Sequence, residues 1–462
     1  MTDSPPPAAR PTGTPWLVAA IALTVLNLLE PQPHWTWLAG AAAGIFLLVE
    51  HARIPASIRR VSIVLVGVSF ALVAFTHVPL ESLRRGLAIG ALMVSLISSV
   101  NLLARAALRS EGSHAVAAHL LARGVRSRCA WFAIACQVFG GLLGLAGVSM
   151  LLEMASRTDA ADAERLPLIA AIMRSFSAAT LWSPMFSNVT ILLALYPGLT
   201  WFTVLPLCVA LAASAVTVGL AMDFIRLRKH RDSGERAQPA DAPLLRAVLP
   251  LLTAMCGFLA AVVALSWAMH FPVAGAIALL APVAALAVNS VQAPAGAGRV
   301  RQGWRELRAD YARLPLLAGE VAMFMAAGCG GTVIASAIPP AWTQAVAQLV
   351  SHSPVLACLA LMSAVVVLAF FAVHPVLSVV LIATSFPPTL MGLPVVPHLL
   401  AIMVGWAVSG PFSPFSMLSL MASRYAGVSI YAVSVRANHV FALVCMTLAA
   451  IALGLGAASF RH

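Results

Sequence analysis

Thirteen apolar runs fill the chain between residues 16 and 459, more hydrophobic side chain than one water-soluble core can enclose. They cover residues 16–29, 35–49, 61–76, 86–104, 129–152, 167–197 and 201–225, then 245–269, 272–290, 316–338, 354–384, 397–427 and 435–459. A membrane-crossing helix takes about 20 mostly apolar residues. Charged residues make up only 10% of the chain, whereas a soluble domain carries roughly 25%. The expected fold is an all-α polytopic membrane protein with about 10–12 transmembrane segments. A transmembrane barrel is excluded because the runs are continuous and not alternating. The composition also excludes a soluble enzyme, a disordered scaffold and a secreted disulfide protein.

The net charge of +12 is nearly all arginine, with Lys229 the single lysine. Nucleic-acid binding is not implied, because the cations sit in short segments between apolar runs and act as topology signals. Arg53, Arg59 and Arg60 follow the second run. Arg105, Arg109, Arg123, Arg126 and Arg128 surround an amphipathic stretch at 112–127. Arg226, Arg228, Lys229 and Arg231 fill a central loop, and Arg299, Arg301, Arg305, Arg308 and Arg313 fill another. All four clusters fall on one face if the N-terminus is cytoplasmic; Arg84 and Arg85 are the exceptions. The expected organisation is a disordered cytoplasmic tail (1–15), a first membrane repeat (16–225), a basic cytoplasmic linker (226–242) and a second, inverted repeat (243–460). Compact loops and Arg/Ala-rich, Lys-poor usage suggest a bacterial inner membrane. The seven cysteines lie in apolar segments without paired spacing and read as small buried residues.

The two halves match at an offset of 230 residues. Residues 166–185 read LPLIAAIMRSFSAATLWSPM and residues 396–415 read VPHLLAIMVGWAVSGPFSPF, so Ala-Ile-Met and Ser-Pro coincide without a gap. At the same offset Ala115-Val116-Ala117 meets Ala345-Val346-Ala347, and Leu87, Ala88 and Met93 meet Leu317, Ala318 and Met323. Counting crossings places the amphipathic stretches 112–127 and 341–352 on opposite faces, so the repeat is expected to be inverted. Inverted repeats allow two mirror-related states of similar energy, the basis of alternating access.

Two runs cannot be plain spanning helices. Run 167–197 is interrupted at residues 182–188 (WSPMFSN) and run 397–427 at residues 409–416 (SGPFSPFS). Proline removes a donor and clashes with the preceding turn, so both runs are read as discontinuous helices. Unwound backbone at membrane depth survives only where protein or a cavity satisfies it. Run 354–384 has two apolar arms around His374-Pro375 and reads as a hairpin. Its partner, 129–152, has Gly140, Gly141, Gly144 and Gly147 near its middle and is taken as the second hairpin; the alternative makes 167–197 the hairpin. Crossing parity leaves both open.

Two halves, each with a hairpin and a helix broken at Ser183-Pro184 with Ser187-Asn188, or Ser413-Pro414 with Ser416, resemble the ion transporter superfamily of secondary carriers. That group includes divalent anion, citrate and arsenite-type carriers. The Ser-Asn-Thr signature of its divalent-anion members at the hairpin tips is absent. The resemblance implies a scaffold with a moving transport domain, a homodimer and an elevator-like motion.

The candidate substrate-binding residues are Arg174, Ser183, Ser187, Asn188, Ser413 and Ser416. An arginine centred in lipid costs roughly 2.5–3.5 kcal/mol. Arg174 therefore reads either as a partner for an anion or as a side chain that snorkels or binds helix-end carbonyls. The serines and Asn188 read as ligands or as repair of backbone groups freed by the prolines. For ion coupling the candidates are Glu320 and His374. Against them stand a first-turn acid favoured by its helix N-terminus and a hairpin-tip donor. Ser98, Ser99 and Asn101 align with Gly328, Cys329 and Gly331 and, with Gly40-x₃-Gly44 and Gly86-x₃-Gly90, read as close helix packing. Trp16, Trp35, Trp37, Trp201, Trp304 and Trp342 read as interfacial anchors, and His114 and His119 as solvated.

With Lys229 the single lysine, no Walker A sequence exists, so no built-in ATP motor is encoded. No metal, organic cofactor or catalytic cluster is expected. The reading is a secondary active transporter of a small solute, an organic or inorganic anion, coupled to Na⁺ or H⁺. Its partners are that solute and the lipid bilayer. The rivals are a membrane-embedded enzyme or lipid-handling protein and, behind them, a channel.

Overall fold

A computed structural model of the chain describes residues 12–109, 125–156, 162–227, 244–294 and 298–457. All regular secondary structure among these residues is helical. In chain order the helices are α1 (Thr14–Leu29), α2 (Pro33–Val49), α3 (Ala56–Phe75), α4 (Leu80–Leu108), α5 (Val125–Ser156), α6 (Asp162–Trp182), α7 (Ser187–Leu195), α8 (Trp201–Leu227) and α9 (Leu244–Ala268). The second half continues with α10 (Val273–Gln292), α11 (Arg299–Tyr311), α12 (Ala318–Ala337), α13 (Pro340–Gln348), α14 (Pro354–Phe370), α15 (Pro375–Ser385), α16 (Val395–Phe412), α17 (Met417–Ala426) and α18 (Ala437–Gly456). Nine helical stretches among the described residues are long and apolar enough to cross a membrane by length and composition. The chain is an all-α polytopic membrane protein.

Burial follows the lipid environment. On α3 the two buried residues are serines, Ser62 and Ser69, while Ile63, Val64, Phe70 and Phe75 are exposed. In water this would be inside out; against hydrocarbon there is no drive to hide the apolar face. By contrast α4 and α12 are buried along most of their length. They cross where neither has a side chain to hold them apart. A Cβ placed on Gly86 would lie 2.6 Å from Cys329 Cα, and one on Gly328 only 2.5 Å from the Gly86 carbonyl oxygen. Gly90 lies against Met325 and Phe324, and Ser82 Oγ is 2.8 Å from Ser336 Oγ. Numbers rise on α4 as they fall on α12, so the two helices run antiparallel.

The elements recur at the 230-residue offset seen in the sequence. Shifted by it, α4 falls on α12, α5 on α14 with α15, α6 on α16, α7 on α17, and α8 on α18 with the π-helical residues Ala432–Arg436 that lead into it. The two hairpins correspond. α5 is not one straight rod: Gly144 has φ +62° in its middle, and a Cβ on Gly147 would lie 2.2 Å from the Phe139 carbonyl oxygen. Residues eight apart meet only if the chain doubles back, so α5 is a hairpin that turns at Gly144. α14 and α15 form the other, with Ala372 at φ +63° in the turn.

Two expectations change. The cluster from Arg299 to Arg308 is not a loop but the amphipathic helix α11, with Gly303, Leu307 and Asp310 inward. Arg109 ties it to α4 through both Asp310 oxygens, and through Asn289 Oδ1 of α10 at 2.9 Å. Trp201 is not an interfacial anchor: it is buried, and its Nε1 donates to the Trp182 carbonyl at 3.0 Å. Run 341–352 forms α13 up to Gln348. Most of the stretch 112–127, with His114 and His119, most of the N-terminal tail and most of the central linker lie outside the described residues.

Candidate functional site

The two helix breaks are built alike. At each, the serine before proline turns its hydroxyl onto the hairpin of its own half. Ser183 Oγ donates to the Gly141 carbonyl, and Ser413 Oγ donates to the Ala369 carbonyl at 2.7 Å. Each hydroxyl also accepts the backbone N–H two residues on, Met185 at 3.3 Å and Phe415 at 3.2 Å. At each break a carbonyl of the last helical turn is capped from beyond it. Asn188 Nδ2 donates to the Thr180 carbonyl at 2.8 Å, and Ser416 Oγ to the Gly410 carbonyl, 230 residues on, at 2.5 Å. Ser416 is also the N-cap of α17, accepting from Ser419 N at 3.0 Å. These contacts meet the demand that unwound backbone be satisfied inside a membrane. Ser187 is the first residue of α7.

The breaks and hairpin tips are therefore one unit in each half. Phe186 packs edge-on against Phe176, with ring centroids 5.3 Å apart, and Phe370 stacks on Phe412 at 5.9 Å. Gln137, in the first arm of the first hairpin, adds a brace to α6. Its Nε2 donates to the Ser175 carbonyl at 2.7 Å, and its Oε1 accepts from Trp182 Nε1 at 3.0 Å. Removing a single hydroxyl latch is expected to cost about 1 kcal/mol, plus the desolvation of the carbonyl left bare. Ser183→Ala and Ser413→Ala should therefore each lower the melting temperature modestly. The double variant should fall by the sum of the two, since each latch lies within its own half. Scanning fluorimetry of the detergent-solubilised protein reads both.

The halves meet at equivalent residues. Ser177 Oγ donates to the Ala407 carbonyl at 2.6 Å, and these positions are 230 residues apart. A cavity of about 30 Å³ lies beside them, between α6, α8, α16 and α18. Part of its lining comes in pairs 230 residues apart, Leu211 with Phe441, Ala215 with Cys445 and Val218 with Leu448, while Leu181, Ser214, Val404, Val408 and Ala449 line it without their equivalents. Ser183 and Ser413 each bond to their own hairpin and not to one another.

Arg174 has a partner that the sequence did not single out. It is 1% exposed, and its Nη2 donates to Oδ1 of Asp223, on α8, which is 3% exposed. The guanidinium is thus neither snorkelling nor set at a helix end. Glu320 stands exposed in the first turn of α12. His374 caps α15, its Nδ1 accepting from Val376 N at 3.3 Å, and its ring meets Phe324 edge-on. Neither touches the breaks in these contacts. A further buried link joins the halves: Tyr196, just beyond α7, donates its hydroxyl to His398 Nδ1 at 2.6 Å, and His398 Nε2 donates to the Phe386 carbonyl at 2.7 Å. The carbonyl can only accept, so the ring is held as the Nε2–H tautomer.

No protein-family model matches the sequence, and no curated protein matches it. Among solved structures the chain is similar to the human organic anion transporter MFSD10 (TETRAN), at 16% identity over 96% of this chain and 98% of that one. The TM-score is 0.20, too low for the likeness to bear on fold or substrate.

Proposed function

We propose that this membrane protein is a secondary active transporter, a carrier and not an enzyme. It moves a small anionic solute by alternating access and draws its energy from a Na⁺ or H⁺ gradient. The observation that carries this reading is the duplicated unit of hairpin and broken helix, with the same hydrogen bonds at Ser183 and Ser413. The antiparallel crossing of the equivalent helices α4 and α12 supports an inverted orientation of the two halves. Two such halves exchange conformations at little net cost, which opens a central site to each side in turn.

The solute is read as an anion because α7 and α17 both begin at the breaks, and first-turn N–H groups and the helix dipole favour negative charge. The hairpin in each half fits the architecture of the ion transporter superfamily, and with it a homodimer in a bacterial inner membrane.

The test is a thermal-shift screen of the purified protein against formate, sulfate, phosphate, succinate and citrate, with neutral and cationic solutes as controls, with and without Na⁺ and across pH. A ligand at a hundred times its dissociation constant adds about 2.7 kcal/mol, a shift easily read. One anion class is expected to stabilise the protein. It should then accumulate in proteoliposomes only under a Na⁺ or pH gradient. Uptake that merely equilibrates would make the protein a channel, and stabilisation by neutral or cationic solutes alone would overturn the anion reading.

A further inference from the structure

Three carboxylates are buried among the described residues, Glu50, Asp223 and Asp310. Two of them are saturated. Glu50 accepts from Gly13 N at 2.7 Å and from Arg53 Nε at 2.6 Å on separate oxygens. Asp310 holds Arg109 with both of its oxygens. Asp223 differs. Its Oδ1 takes Arg174, but its Oδ2 has no hydrogen-bond partner, and neither do Nε and Nη1 of Arg174. Both residues line a cavity of about 10 Å³, together with Ala133, Ser175 and Gly219. That is room for about one water molecule.

The fold does not require this pair. At the equivalent places the second half carries Val404 and Leu453, both buried and apolar. A buried ion pair is weak evidence for stability, because desolvation offsets most of the attraction. A charge pair kept in one half only, with an open acceptor oxygen beside a water-sized space, calls for another role.

We infer that Oδ2 of Asp223 is a proton-binding site, and that Arg174 links its occupancy to that of an anion. The step is a simple transfer. A hydronium in the cavity gives its proton to Oδ2, a new O–H bond forms there, and a water remains. The pair passes from net charge zero to +1. An unpaired guanidinium in a dry site is costly, so an anion beside Arg174 stabilises the protonated state and raises the pH at which it forms. Each therefore favours the binding of the other. The charged and titratable groups that face the pair among the described residues are Arg226 on α8, Cys129 on α5 and Cys445 on α18. Arg226 Nη2 also reaches the Ala437 carbonyl at 3.4 Å. None of the three supplies a second acceptor to compete with Oδ2.

The link to an anion rests on the transport reading above; the proton site does not. Infrared pH-difference spectra of the full-length purified protein test the site with no solute present. A protonated-carboxyl stretch set apart in frequency from that of the water-exposed acids by its dry surroundings, growing as pH falls and shifting in D₂O, is expected in the wild type. It should vanish in Asp223→Asn and in the charge-neutral pair Arg174→Met with Asp223→Leu, which reads the same signal if the single variant does not fold. A band unchanged by both would overturn the inference. The anion link is read from the affinity for formate, sulfate and citrate, which should rise about tenfold for each unit of falling pH over the titration. Asp223→Asn should make it independent of pH. The infrared band with no anion binding at any pH would leave the proton site and remove the anion reading. Anion binding without pH dependence and without the band would do the reverse.

Discussion

Asp223→Leu alone is expected to destabilise the protein by about 3–5 kcal/mol, because it strands the Arg174 charge in a dry interior. Adding Arg174→Met should recover nearly all of that loss. The double variant keeps the side-chain volume roughly constant and removes both desolvation penalties, so it should match the wild type or exceed it. The two positions are in direct contact, and a double-mutant cycle should return a large coupling of rescuing sign. Melting temperatures in one detergent give the four corners. Additive losses would mean that the guanidinium finds other partners once Asp223 is gone, and that the pair is not an isolated unit.

The second large effect lies in the crossing of α4 on α12. Gly328→Val would drive a branched side chain into the Gly86 backbone, where even a Cβ has only 2.5 Å. Overpacking of this kind costs typically about 1–3 kcal/mol and occasionally more. Here the obstacle is main chain and not a side chain that can rotate away, so the upper end or beyond is expected. The protein should then express poorly and elute as aggregate on size exclusion. Gly44→Val is the control. Gly44 belongs to the same type of small-residue pattern, yet a Cβ there meets nothing within 4 Å, and its elution profile and melting temperature should be unchanged.

That contrast shows what the sequence could and could not tell. The apolar runs and their breaks were legible because lipid imposes one strong rule, a long continuous stretch, and proline interrupts it visibly. Two glycine patterns looked identical, and only the packing shows that Gly86-x₃-Gly90 meets another helix while Gly44 does not. The hairpin at Gly144 was one of two readings that crossing parity left open; the contact between Gly147 and Phe139 separates them. The helix α11 is hard to see in the sequence because its arginines carry a topology signal and its inward face is only Gly303, Leu307 and Asp310. Arg174 stood out as a charge in an apolar run, but its partner is 49 residues away on another helix. Asp223 sits close to the end of its run, where an acid looks like a boundary residue. The Ser183 and Ser413 contacts agree with the repair of freed backbone that the prolines imply.

The glycine seam also sets a timetable for assembly. α4 leaves the ribosome some 230 residues before α12, the helix that fills its groove. At about 5–20 residues per second that interval lasts roughly 10–50 s. Through it, a stripe of bare backbone faces acyl chains, which fit it poorly. For that interval α4 lacks the helix that buries its glycine seam. Quality-control proteases of the membrane would meet this protein in that interval, with α4 as the surface they see.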